Sequence, residues 1–148
     1  MTIYIIDTNL VFSAILNTSS SIAEFIVNAD ANDIQLKAPT YLKGEFVKHM
    51  ERLERLTGKE ATTLLVTLNE YYGLIDFVPD QDIPIVHFAK AYKLIGHIDS
   101  DDLSFVALSS LEDKYLLTED KKLAKGLISK GYQKVITFQQ LKEKHNIK

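Results

Sequence analysis

The chain has 148 residues, 46% of them hydrophobic and 25% charged, with a net charge of −3 and no cysteine. That length suits one globular domain, residues 1–148, able to bury a core without disulfides or a structural metal. The lack of thiols excludes zinc-thiolate sites, redox motifs and cysteine nucleophiles and agrees with a cytoplasmic setting, while the near-neutral balance removes any argument for nucleic-acid binding from bulk basicity.

In chain order, Ile3 to Ile6 reads as a first β-strand closed by Asp7, with a helix beginning near Leu10. No basic flank followed by a long apolar stretch marks a signal peptide or membrane span. Ser21 and Glu24 form a capping-box pattern that opens a helix through about Ala29. Ile34 to Ala38 is a second strand, and Pro39 and Thr40 lead into a helix from Tyr41 to about Leu56. Gly44 inside that helix costs about 1 kcal/mol relative to alanine and marks a bend or close packing. Thr57 and Glu60 repeat the capping signature ahead of a helix over Ala61 to Tyr72. Leu74 to Val78 is a third strand, followed by a helix from Asp82 to Gly96 with Pro84 in its first turn. Asp102 to Glu112 is a helix apolar nearly all round. Strand Tyr115 to Thr118, helix Lys121 to Lys130, strand Lys134 to Thr137 and a short helix from Gln139 complete the chain. Strands that alternate with helices and read as continuous apolar runs predict a three-layer α/β/α sandwich around a mainly parallel sheet.

Parallel strands share one carboxyl edge, where open α/β sheets bind ligands. Asp7 and Asp120 each follow a strand, and Asp102 opens the buried helix, so the three are expected to meet at that edge. Carboxylates within ~4 Å repel by roughly 1 to 4 kcal/mol per pair, and a divalent cation relieves this. Each acid also has an ordinary structural role. Asp7 and Asp120 suit helix caps, and Asp99, Asp101 and Asp102 complement the dipole of the helix they precede. In the functional reading Asp102 is the best sheltered, Asp99 approaches the same ion from the loop and Asp101 faces solvent. Glu45 lies one turn into its helix, beside the Leu42, Phe46, His49 and Leu53 stripe. Thr8 and Asn9 are placed to hydrogen-bond a carboxylate, and Thr118 to orient Asp120.

An acid-only site suits Mg²⁺ or Mn²⁺ and thereby phosphate chemistry. The chain contains no phosphate-binding glycine loop, nucleophile elbow or H-E-x-x-H pair. His49, His87, His97 and His145 lack metal-ligand spacing and are expected to border helices. Charge is unevenly spread: residues 1–113 carry 8 Lys and Arg against 17 Asp and Glu, whereas 114–148 carry 9 Lys against 3 acids. The basic part suits either a phosphate backbone or a solvated surface.

The series Ile6-Asp7-Thr8-Asn9-Leu10-Val11-Phe12-Ser13-Ala14, Glu45 early in a helix, Asp99-x-Asp101-Asp102-x-x-Phe105-x-Ala107-Leu108 and Leu117-Thr118-x-Asp120 resembles the PIN-domain nucleases along essentially the whole chain. It is especially similar to the small single-domain toxins of VapBC-type toxin–antitoxin pairs. The resemblance implies a metal-dependent endoribonuclease in which Asp7, Glu45, Asp102 and Asp120 hold one or two Mg²⁺ or Mn²⁺ ions and cleavage leaves a 5′-phosphate and a 3′-hydroxyl. It assigns supporting positions to Thr8, Asn9 and Thr118, and Asp99 falls where the family is sometimes acidic. Asp99 and Asp101 together give more acid than many toxin members carry there. Single-stranded or loop RNA is the expected substrate, with Lys121, Lys122 and Lys125 as candidates for phosphate contacts. The implied partners are a cognate antitoxin covering the cleft and a second copy in a homodimer. Two other classes remain open, a phosphoacceptor metal-binding module and a non-catalytic interaction protein. A D-x-D phosphohydrolase is disfavoured because Asn9 stands where its second acid belongs.

Overall fold

The computed structural model describes residues 1–96 and 99–148; His97 lies outside the described residues. Five strands form one all-parallel sheet: β1 (Thr2–Ile6), β2 (Ile34–Pro39), β3 (Ile75–Val78), β4 (Tyr115–Leu117) and β5 (Val135–Ile136), in the order β3-β2-β1-β4-β5. Strand β1 is central, with Tyr4 paired to Leu36 on one side and Tyr115 on the other. Tyr4, Ile5 and Ile6 are all fully buried. A strand covered on both faces has no polar side to alternate with, which explains the continuous apolar runs.

Helices α1 (Thr8–Leu16) and α2 (Ser21–Asn28) connect β1 to β2, and α3 (Tyr41–Thr57) and α4 (Ala61–Tyr72) connect β2 to β3. The chain then crosses to the other side of β1 through α5 (Ile85–Ile95) and α6 (Leu103–Glu112), and α7 (Lys121–Ser129) joins β4 to β5. Right-handed crossovers running in opposite directions along a sheet put their helices on opposite faces. Accordingly α1 to α4 pack together on one face and α5 to α7 on the other. The last helix, α8 (Phe138–His145), joins the first layer through the Phe138 ring, 5.3 Å from that of Phe25. The result is the expected three-layer α/β/α sandwich. Among the described residues no single helix is long and apolar enough to cross a membrane.

Helix α6 has the most complete burial, with Phe105, Val106, Ala107 and Leu108 all at 0% exposure. Its one buried polar group on that inner turn, Ser109, is satisfied by the carbonyl of Lys114 and the hydroxyl of Tyr132 at 2.6 Å. Two of the expected histidine placements take a similar structural form: His87 bonds Ser110 at 2.9 Å and His145 bonds the Tyr4 hydroxyl at 2.7 Å.

Several expected boundaries shift, each for a local reason. Helix α2 is capped by Ser20, whose hydroxyl accepts from the Ala23 N–H, so Ser21 is its first helical residue. Thr57 does not cap α4; its hydroxyl donates back to the Leu53 carbonyl and it ends α3, which Gly58 terminates at φ +70°. Residues Asp80–Asp82 form a separate 3-10 turn, and Pro84 stands ahead of α5 rather than inside its first turn. Ser100–Asp102 forms another 3-10 turn, so α6 proper begins at Leu103. Thr137, unnoticed in the sequence, makes a full capping box with Gln140. At Gly44 an added Cβ would meet nothing within 4 Å, so close packing does not account for the glycine.

Candidate functional site

The strand order reverses between β1 and β4, and a crevice opens at their carboxyl ends, the switch point where open α/β sheets place ligands. Asp7 follows β1, and its N–H still donates to the Leu117 carbonyl at 3.0 Å, holding it against the end of β4. The residue is only 4% exposed. One oxygen accepts from the Thr8 N–H at 2.8 Å, so Asp7 does cap α1; the other accepts from the Thr118 hydroxyl at 2.6 Å. Capping and facing the crevice are thus carried by the same side chain.

Thr118, fully buried, orients Asp7 rather than the Asp120 carboxylate. The reason is proton supply. Its hydroxyl has one proton, and the buried Asp7 oxygen has no solvent alternative, whereas an oxygen of Asp120 is satisfied by the Leu123 N–H at 3.1 Å as the cap of α7. The Thr118 oxygen in turn accepts from the Asp120 backbone N–H at 3.1 Å and from the Asn9 amide at 3.4 Å. With that proton committed to Asp7, Asn9 can face Thr118 only with its amide nitrogen. Among the described residues its buried Oδ1 has no hydrogen-bond partner.

Glu45 enters from α3. Its half-buried carboxylate accepts from the Thr8 hydroxyl at 2.6 Å, so Thr8 ties Glu45 to Asp7 through its hydroxyl and its N–H. Asp102 stands at the head of α6, half-buried, with no cap bond from its side chain. Asp99 is exposed and accepts from the Asp101 N–H at 2.9 Å. Asp101 does not simply face solvent: the Tyr41 hydroxyl donates to it and Lys48 lies 3.6 Å away. All these acids, with Asp120, line one cleft of about 480 Å³.

Confinement shows in their proton affinities. Burial, reinforced by Asp7, Asp99, Asp120 and Glu45, pushes the Asp102 carboxyl up to about 8. Burial likewise raises Glu45 to about 7 and Asp7 to about 6, with the Thr8 and Thr118 hydrogen bonds acting in the opposite direction. Asp101 is the contrast, held below its usual range first by the Tyr41 hydroxyl and then by Lys48. Burial and mutual repulsion thus raise the proton affinity of Asp7, Glu45 and Asp102 together, a strain that a positive charge in the cleft would relieve.

Two cleft residues escaped the sequence reading in this role. The sequence pattern puts His49 in the apolar stripe, as a histidine bordering a helix, and gives Arg52 no role, yet both line the same cleft as Glu45. Their i, i+4, i+7 spacing from Glu45 on α3 is the signal that finds them. Lys121 and Lys125 line an adjoining depression of about 180 Å³ that shares Asp120 with the cleft, and Lys122 is exposed on α7.

Whether the residues fit a hard cation is answered by the donor set, which is all oxygen, as Mg²⁺ and Mn²⁺ prefer. The unpartnered Asn9 oxygen adds another acceptor at the wall. Among the described residues no three acids already stand as a closed cage. That spacing is expected where repulsion has no counter-charge, and Mg²⁺ in any case keeps several waters between itself and its protein ligands.

The profile of the PIN domain matches residues 5–141. The chain belongs to the PIN-domain family. Among curated proteins none matches the sequence significantly. In three dimensions the fold is similar to VapBC2 from Rickettsia felis bound to a promoter DNA fragment, with a TM-score of 0.68 at 14% identity over 92% of this chain and 97% of that one. DNA-bound VapBC from Salmonella typhimurium gives 0.69 at 12% identity, covering 93% and 98% of the two chains. VapBC-1 from nontypeable Haemophilus influenzae gives 0.66 at 13%, covering 93% and 99%.

Proposed function

We propose that the protein is a Mg²⁺- or Mn²⁺-dependent endoribonuclease and the toxin of a toxin–antitoxin pair. The observation that carries the reading is the gathering of Asp7, Glu45, Asp102 and Asp120, from four separate elements, around one cleft at the sheet's switch point. Membership of the PIN-domain family supports nuclease chemistry. The similar folds belong to VapBC complexes, which supports an antitoxin as partner. A homodimer and a cytoplasmic location fit the same reading.

Asp7, Asp102 and Asp120 would hold the ion, with Glu45 reaching it directly or through water and Asp99 at the rim. When bound, the ion supplies a lower pKa to a nearby water and polarises the scissile phosphate. Thr118 and Thr8 keep Asp7 and Glu45 aimed into the cleft, so the carboxylates need little rearrangement. Glu45, where it reaches the ion through water rather than directly, is the group suited to take and return the proton of the attacking water.

The test is cleavage of labelled single-stranded RNA by the purified protein in Mn²⁺, alongside D7N and D102N. Loss of at least about a hundredfold in rate is expected for either variant, the scale on which a misplaced catalytic group acts, together with silence in EDTA. Full activity of D102N would refute the assignment.

A further inference from the structure

The acid cleft has a second, cationic end. Helices α1 and α3 both begin beside the acids, and further along them Phe12, His49 and Arg52 line the same cleft. Arg52 and His49 are the only side chains of the cleft lining, among the described residues, able to carry positive charge. The Arg52 guanidinium carbon lies 5.1 Å from the centre of the Phe12 ring. That ring is itself held by Phe46, stacked at 6.3 Å, and by the His49 ring, edge-on at 6.4 Å.

Among the described residues Arg52 forms no ion pair, although its own cleft is lined with acids. Arg52 is exposed, and the ring face attracts the cation without taking up its N–H groups, which stay available as donors. A planar fork of donors at the end of an acidic cleft matches the oxygens of a phosphate. Seven residues of α3 separate Arg52 from Glu45, about 10 Å along the helix axis. The fork therefore stands away from any phosphate at the acids and within reach of the next one along the strand.

We propose that Arg52, backed by Phe12 and flanked by His49, is a binding subsite for a backbone phosphate of single-stranded RNA adjoining the scissile bond. The subsite rests on the nuclease reading and names the contact that reading lacks: acids supply no attraction for the flanking polyanion. It adds a contact inside the cleft to those expected of Lys121 and Lys125.

The test is binding of a fluorescent single-stranded oligouridylate by the full chain in Ca²⁺, across a salt series, with RNA integrity checked by gel. R52Q should weaken binding roughly tenfold, the size of a lost charge-assisted contact. The slope of log affinity against log salt should shrink by about 0.7, the value for one phosphate contact to a single strand. R52K should recover the slope but only part of the affinity, because an ammonium neither stacks nor forks. In Mn²⁺ cleavage, KM should rise more than kcat falls. If wild-type protein binds and cleaves RNA while R52Q keeps the same affinity and slope, the subsite is wrong and the nuclease reading stands. A slope change in K121Q with none in R52Q also overturns it. If wild-type protein neither binds nor cleaves RNA, the nuclease reading fails and takes the subsite with it.

Discussion

Asp102→Asn should stabilise the metal-free protein, and by an amount that grows with pH. The unfolded carboxyl titrates near 3.8, whereas burial and four neighbouring acids raise it to about 8 in the folded chain. Below pH 4 it is protonated in both states and costs nothing. Between pH 4 and 8 the unfolded chain ionises while the native state keeps its proton or pays to lose it, so native stability falls as pH rises, and the loss is complete only above about 8. Taken as an isolated group, a shift of that size would be worth about 6 kcal/mol. Part of it is repulsion shared with Asp7 and Glu45, and the cleft mouth is solvated, which reduces the recoverable portion to about 1–3 kcal/mol. Asparagine keeps the shape, and the carboxylate makes no cap bond that would be lost. The assay is thermal unfolding of both proteins in EDTA from pH 4 to 9. At pH 8 D102N should melt higher by about 2–4 °C per kcal/mol, and the two curves should converge near pH 4. Parallel curves, or a variant that is less stable at pH 8, would show that the acids do not strain the fold.

Adding millimolar Mn²⁺ at pH 8 should raise the wild-type melting temperature, by about 2.7 kcal/mol of stabilisation at a hundredfold excess over Kd, and should raise that of D102N much less; equal shifts would place the ion elsewhere. Thr118→Val removes the one proton that, among the described residues, is offered to the second oxygen of Asp7, so at pH 8 it should cost about 1–3 kcal/mol, read as a lower urea midpoint; an unchanged midpoint would mean that water replaces the hydroxyl. Gly44→Ala should stabilise by roughly 0.5–1 kcal/mol, because the position is helical, exposed and open; destabilisation would reveal a contact at that face.

The sequence by itself determined the layers of the fold. Runs such as Ile3 to Ile6 and Tyr115 to Leu117 have no polar alternate positions, and their alternation with helical stretches fits a doubly covered parallel sheet. It also brought Asp7 and Asp120 to strand ends, because a period of two or 3.6 residues fixes which way local neighbours point. Hydrogen-bond partnership between remote groups is another matter, since it depends on which acceptor is driest once the chain has closed. That is why the Thr118 proton goes to Asp7 across 111 positions and not to the carboxylate of its near neighbour Asp120, and why Thr8, a helix-start residue in the sequence, couples Asp7 to Glu45. The basic carboxyl-terminal third is one expected counterpart of the acids, and tertiary packing puts its Lys121 and Lys125 in a depression that shares Asp120 with the cleft, while Arg52, from the acidic part of the chain, lines the cleft itself. Charge counted along a chain says how much there is; only the crossing of α1 and α3 beside the sheet edge decides which charge faces which.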